Sequence, residues 1–247
     1  MCNSAETGRL IFMVRMSFSS ASEFESCPSK FYRRKILEEK GDAPPVFAFM
    51  YGTASHRKLG QFIQAAVAEN FKPRDREELL MKLAEHMTEK QNGLCPGITT
   101  LMMGVYEKYG TLPKMELEYR LDLTADPEHE FLGFIDCVVN DEEIIDFKTG
   151  TIDRSLLDHY KKQLGLYVHY YKVRNGKEIR RVCIWSLRDG ERIEIDAQAE
   201  SEKAIVWYMA IRRDIHERLA SKREFETIKS DECSRCEFKK NCKAWGV

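Results

Sequence analysis

Gly133-Phe134-Ile135-Asp136, followed ten residues later by Asp146-Phe147-Lys148-Thr149-Gly150, is the stretch on which the fold turns. Residues two apart on a strand share a face, so Asp146 and Lys148 project together while Ile145 and Phe147 point into a core. If Asp136 on the preceding strand faces the same way, two carboxylates converge beside one ammonium. That set suits a hard, oxygen-preferring cation such as Mg²⁺ or Mn²⁺. Such an ion activates water and neutralises charge developing on a phosphodiester, and the lysine orients that water or stabilises the transition state. A bare Asp-x-Lys is also common as a solvated pair on the outer face of a hairpin, so the surroundings have to decide.

Outward from this stretch the hydrophobic period changes. Met115 to Leu123 alternates apolar with charged residues, as a half-buried strand does. Phe131 to Asn140 and Glu143 to Lys148, turned at Asp141-Glu142, complete a meander of three strands. Leu156 to Lys172 reads as a helix and Asp196 to Ala220 as a long amphipathic one. Between them, Ile179 to Leu187 and Arg192 to Ile195 form a hairpin closed by Asp189-Gly190. Upstream of Gly110 the chain reads as helical: Ser20 to Glu39, Thr53 to Asn70, Arg74 to Lys90 and Ile98 to Tyr109, with turns at Asn92-Gly93 and Pro96-Gly97.

The 247 residues suffice for one large domain, and 43 % apolar content can fill its core. The formal charge of −1 argues against a uniformly basic nucleic-acid binder. It conceals a segregation: from Thr111 to Phe147 there are 11 acids and two bases, so the rest of the chain carries an excess of eight positive charges. No run of 18 apolar residues suggests a membrane span, and the patch from Leu10 to Val14 is short for a signal-peptide core, so a cytoplasmic protein without a membrane partner is expected.

These motifs resemble the RecB-like branch of the PD-(D/E)xK nuclease superfamily. There an upstream acid, a Gly-x-x-Asp strand and an Asp-x-Lys-Thr-Gly strand end precede a Gln-x-x-x-Tyr helix, matched here by Gln163-Leu164-Gly165-Leu166-Tyr167. The resemblance implies an α/β fold of restriction-endonuclease type, with a mixed central sheet flanked by helices, a helical N-terminal region and a cysteine-bearing tail. It implies His56, Asp136, Asp146 and the carbonyl of Phe147 as ligands of Mg²⁺ or Mn²⁺, with His56 set by Gly52-Thr53-Ala54-Ser55-His56. Lys148 is then the catalytic lysine, with Gln163 and Tyr167 positioning it or the nucleic-acid backbone. Glu118, or Glu116 on the same expected strand face, matches the upstream acid. Tyr160 and Tyr171 read as core aromatics, and Lys161, Lys162, Lys172, Arg174 and Lys177 as possible phosphate contacts.

Eight cysteines are too few for a disulfide scaffold, but Cys233-x2-Cys236-x5-Cys242 clusters in a tail too polar to pack by itself. Three thiolates need a fourth, and four suit Zn²⁺ as well as an iron–sulfur cluster. In RecB-like nucleases of the AddB, CRISPR-adaptation and exonuclease V type the fourth lies near the N-terminus in a Cys-Pro-x-basic-aromatic context, which Cys27-Pro28-Ser29-Lys30-Phe31 matches. That resemblance implies a structural [4Fe–4S] cluster in preference to zinc. The expected layout is an extension over 1–16 and one nuclease domain over 17–247: a helical part 17–110, a core 111–221 and the cysteine tail 222–247. The expected activity is a metal-dependent DNA exonuclease acting on single-stranded ends in repair, phage DNA processing or CRISPR adaptation, with a helicase, recombinase or CRISPR integrase as partner. The alternatives are a flap or structure-specific endonuclease and a non-catalytic DNA-binding module.

Overall fold

The structure is a computed structural model that describes residues 15–42, 47–126 and 128–245. The expected extension, 1–16, lies outside the described residues except for its last two. Met16 is buried, and its carbonyl accepts the Leu132 N–H at 2.8 Å, so this residue belongs to the fold.

In chain order the helices are α1 (Phe18–Ser26), α2 (Pro28–Phe31), α3 (Phe47–Ala68), α4 (Arg76–Ala84), α5 (Cys95–Tyr109), α6 (Leu157–Asn175) and α7 (Ala197–Ser221). The strands are β1 (Met115–Asp122), β2 (Leu132–Val139), β3 (Glu143–Lys148), β4 (Arg181–Ser186) and β5 (Arg192–Ile195), in spatial order β1-β2-β3-β4-β5. β2/β3 and β4/β5 are antiparallel, whereas β3/β4 is parallel. A parallel pair needs a crossover, and α6 supplies it. The fold is therefore α/β with a mixed five-stranded sheet flanked by helices, as the sequence led one to expect.

The chain divides into two compact units that interleave along the sequence, one within 1–45, 121–133 and 202–247, the other within 46–120 and 134–201. In the second, Cys137, Val139, Ile145, Phe147, Cys183 and Trp185 on one sheet face pack on α3, α4 and α5 through Leu59, Phe62, Ile63, Leu79, Leu83, Ile98 and Met102. The alternate residues Val138, Ile144, Val182 and Ile184 are buried too, as are Leu164, Tyr167, Val168 and Tyr171 of α6. β3 is consequently buried from Glu143 through Phe147, the continuous pattern of a strand covered on both faces. The charged head of this strand, Glu143, is neutralised by Arg192 at 3.0 Å, Arg181 at 3.2 Å and Lys108 at 3.6 Å.

The first unit holds an aromatic core in which Phe24, Phe31 and Tyr32 surround Phe225, with the Arg218 guanidinium over the Phe24 and Phe225 rings. Its opening segment corrects the expected continuous helix from Ser20 to Glu39. A residue before proline is driven out of the helical region, and Cys27 stands extended (φ −162°) between α1 and α2.

Three local expectations change for identifiable reasons. Pro96-Gly97 opens α5 instead of separating helices, since proline fits the first helical turn, where its missing N–H is no loss. The β2–β3 turn falls on Asn140-Asp141, both left-handed (φ 52° and 58°), one residue before the expected Asp141-Glu142; Asn and Asp tolerate that conformation best. In β1, Glu118 is left-handed as well (φ 51°), and the alternation breaks there. Leu117 packs with the α3 core, whereas Tyr119 lies 5.4 Å from the Tyr171 ring of α6. Strict alternation would have put those two on one face, so the expectation that Glu116 and Glu118 share a face does not hold.

Gly97 is required by close approach: a Cβ there would sit 2.5 Å from the Leu187 carbonyl oxygen. Gly97→Ala is expected to destabilise the protein by about 1–3 kcal/mol in urea unfolding, despite alanine's better helix propensity.

Candidate active site

The β2/β3 ladder pairs Val139 with Glu143, Val138 with Ile144 and Cys137 with Ile145, and then stops. One residue further on, the strands part. The Phe147 N–H, left without a strand partner on that side, donates instead to Asp136 Oδ2 at 2.8 Å. The other oxygen, Oδ1, lies 3.3 Å from His56 Nδ1 on α3. The His56 ring stands edge-on to Phe147 with centroids 5.8 Å apart, and its Nε2 is buried without a hydrogen-bond partner.

Asp146 is only 6 % exposed, so the Asp146–Lys148 pair is not the solvated surface pair that a bare hairpin would carry. Lys148 Nζ lies 2.6 Å from Asp146 Oδ2 and 4.5 Å from the Tyr160 ring centroid. Tyr160, Gln163 and Tyr167 follow at helical spacing on α6, where Gln163 Nε2 donates to the Tyr167 hydroxyl at 3.0 Å. Tyr160 was expected as a core residue; its ring instead backs the lysine. Nothing in the sequence distinguishes it from Tyr171, which does bury and donates its hydroxyl to Asp141 at 2.6 Å.

Burial, reinforced by the charge of Asp136 and opposed by Lys148, pushes the Asp146 carboxyl up to about 6. For Lys148 burial acts downward, but the Asp146 charge and hydrogen bond, with help from Asp136, outweigh it and the pKa is raised. His56 behaves alike: burial opposes its charge, and the Asp136 hydrogen bond and the two carboxylate charges raise it overall.

The remaining residues sort by their partners. Two backbone bonds join the flanks of β1 and β2: the Asn140 N–H donates to the Lys114 carbonyl at 2.9 Å and the Leu123 N–H to the Phe131 carbonyl at 2.8 Å. This register brings Glu118 alongside Asp136, and Glu118 has no ion-pair partner among the described residues. Glu116 is committed to Lys114. Of the expected phosphate contacts, Lys161, Lys172 and Lys177 are paired with Asp158, Glu178 and Asp141 at 3.7, 2.6 and 2.7 Å.

Two carboxylates, an imidazole with an orphaned buried nitrogen and a neighbouring ammonium converge from α3, β2 and β3. A profile of the PD-(D/E)XK nuclease superfamily matches residues 15–243. The chain belongs to that superfamily. No curated protein matches it closely enough to name a relative. Members of the PD-(D/E)XK superfamily are nucleases that typically use Mg²⁺ or Mn²⁺, and the donor set of this PD-(D/E)XK protein fits such an ion: carboxylate oxygens and one imidazole. The fit is not preformed. Among the described residues no three His, Cys, Asp or Glu side chains are arranged to hold an ion; Asp146 pairs with Lys148, and Asp136 with Phe147 and His56.

In the first unit of this PD-(D/E)XK protein, Cys27, Cys233, Cys236 and Cys242 line one cavity, with Lys30, Arg33 and Phe238. All four are free thiols. They too fall short of single-ion geometry. No described helix is long and apolar enough to cross a membrane.

The raised Asp146 carboxyl sets a pH dependence. Metal-free protein loses stability as pH rises from the ordinary carboxylate range through about 6, since the fold holds this proton more tightly than the unfolded chain. Metal binding needs the ionised form. The rise in Tm on adding Mn²⁺ is therefore expected to be larger at about pH 8 than at about pH 5, and absent in Asp146→Asn.

Proposed function

We propose that this protein is a metal-dependent deoxyribonuclease, acting as an exonuclease on single-stranded DNA ends. The observation that carries the reading is the convergence of His56, Asp136, Asp146 and Lys148 where β2 and β3 part. His56, Asp136, Asp146 and the Phe147 carbonyl would hold Mg²⁺ or Mn²⁺, with Glu118 as the upstream acid. When bound, such an ion supplies Lewis-acid polarisation of the phosphate and a water of lowered pKa.

The chain's own groups do the rest. Lys148, whose pKa is raised, stays an ammonium at neutral pH, so it serves as an electrostatic donor to the phosphate or the attacking water and not as a base. Release from Asp146 frees it for that task. Tyr160 keeps it in place by a cation–π contact, and the Gln163–Tyr167 pair fixes the adjoining wall. Action on free ends rests on the RecB-like resemblance, as does a partner of helicase, recombinase or CRISPR-integrase type; a cytoplasmic setting is proposed from the sequence.

The same resemblance, with four free thiols lining one cavity, supports a structural [4Fe–4S] cluster on Cys27, Cys233, Cys236 and Cys242. The preference for the cluster over zinc rests on the resemblance, since four thiolates suit either.

Purified protein with Mg²⁺ or Mn²⁺ is expected to degrade linear single strands and leave covalently closed circles intact. Lys148→Ala and Asp146→Ala should each lower the rate by about a hundredfold or more. Undiminished cleavage in either variant would remove the site assignment, and nicking of circles would make the enzyme an endonuclease. Anaerobically purified protein should be brown with broad visible absorbance, lost in Cys236→Ser; a colourless, zinc-containing preparation would reject the cluster.

A further inference from the structure

On the outer side of α3 a groove with about 550 Å³ of open volume is lined by Met50, Tyr51, Ala54, Arg57, Lys58 and Lys90, with Gln61, Thr88 and Gln91 at its margin. Its charged lining residues are all cations. Arg57, Lys58 and Lys90 form no ion pair among the described residues, unlike Lys161, Lys172 and Lys177 of the α6 region. Unpaired cations gathered without an acid leave a local positive field in a protein whose overall charge is −1.

The floor is apolar. Met50 is 57 % exposed, and the half-buried Tyr51 lies beside it. The Tyr51 hydroxyl donates to the Lys90 carbonyl at 3.2 Å, which ties α3 to the 3₁₀ segment Glu89–Leu94 and fixes the ring at the groove wall. A flat apolar surface between cations matches the bases and phosphates of a single nucleic-acid strand. Duplex DNA, which hides its bases, would use the cations alone.

The groove also has a fixed relation to the candidate active site. His56 and Gly52 lie on the face of α3 turned to β3, Gly52 being 4.0 Å from Thr149 Oγ1 at the position a Cβ would take. By helical periodicity Ala54, Lys58 and Gln61 lie on the opposite face and Arg57 on the flank between. The two are separated by one helix diameter, about 10 Å. A strand crosses that distance in a few nucleotides.

We infer that this groove is a track for single-stranded DNA, holding nucleotides a few positions from the one cut at Asp136, Asp146 and Lys148, with Arg57, Lys58 and Lys90 on phosphates and Met50 and Tyr51 under bases. The inference rests on the nuclease reading for its cleavage role, but strand binding is testable without cleavage.

Binding of a fluorescein-labelled oligothymidylate is measured by anisotropy in the Asp146→Ala background over a range of salt. Adding Arg57→Ala, Lys58→Ala and Lys90→Ala should weaken binding at least about tenfold and lower the salt slope by about 2, at about 0.7 per lost phosphate contact. Lys40→Ala with Lys72→Ala, removing exposed lysines outside the groove, should change affinity less than about twofold. Arg57→Lys should retain most of the binding, and Tyr51→Leu should weaken single-strand binding with little effect on duplex.

Wild-type affinity in the triple variant, or a loss matched by the control, would overturn the track; so would an equal loss for duplex on Tyr51→Leu. Thermal melts of each variant separate misfolding from lost contacts. If the groove variants behave as expected while the protein with intact Asp146 cuts no DNA, the nuclease reading fails and the track stands. If DNA is cut and the groove variants bind normally, the track alone fails.

Discussion

The hydrogen bond from the Phe147 amide to the Asp136 carboxylate is the constraint on which the site depends. Two paired strands normally satisfy their amides on each other, and an unpaired buried N–H is costly. Here β2 leaves β3 after the Cys137–Ile145 pair, and the side chain of the next β2 residue takes over the role of the missing backbone carbonyl. The opening that results is where His56 reaches Asp136 and where Lys148 meets Asp146. Without the side-chain acceptor, the strands could not part at no loss in hydrogen bonding.

Around that opening the structure stores charge in low-dielectric surroundings. Asp146 is buried on a strand covered from both sides, so it depends on Lys148, and Lys148 depends on it. A cation at the carboxylates and a phosphate at the ammonium would separate the pair while leaving neither charge alone. The left-handed Glu118 in β1 lies in the same place: a left-handed non-glycine residue inside a strand costs energy, and the register sets it beside Asp136.

Much of this was legible in the residues. Asp146 and Lys148 stand at a spacing that places them on one strand face, and the change of hydrophobic period near Gly110 separates helices from strands; that Asp136 joins them depends on the hairpin register, which the turn at Asn140-Asp141 set. Cys27 illustrates a partial reading: the Cys-Pro pair marked it as a ligand candidate, and the same proline should have marked the helix break there. Tyr160 and the α3 cations were not legible as such. Whether a tyrosine on an amphipathic helix buries or backs a lysine depends on which element faces it, and whether a lysine is paired depends on acids distant in sequence.

The amino-acid sequence by itself determined the α/β class, the order of elements and the chemistry of the acid–lysine set, because strand and helix periods and residue types are local properties. Only the tertiary structure decided that β2 and β3 part at Asp136, that Glu118 breaks the face it was expected to share with Glu116, and that Cys27 lines a cavity with cysteines about two hundred residues away. Those features follow from where separate elements pack, and packing is settled by steric and hydrogen-bond demands between residues that no spacing along the chain records.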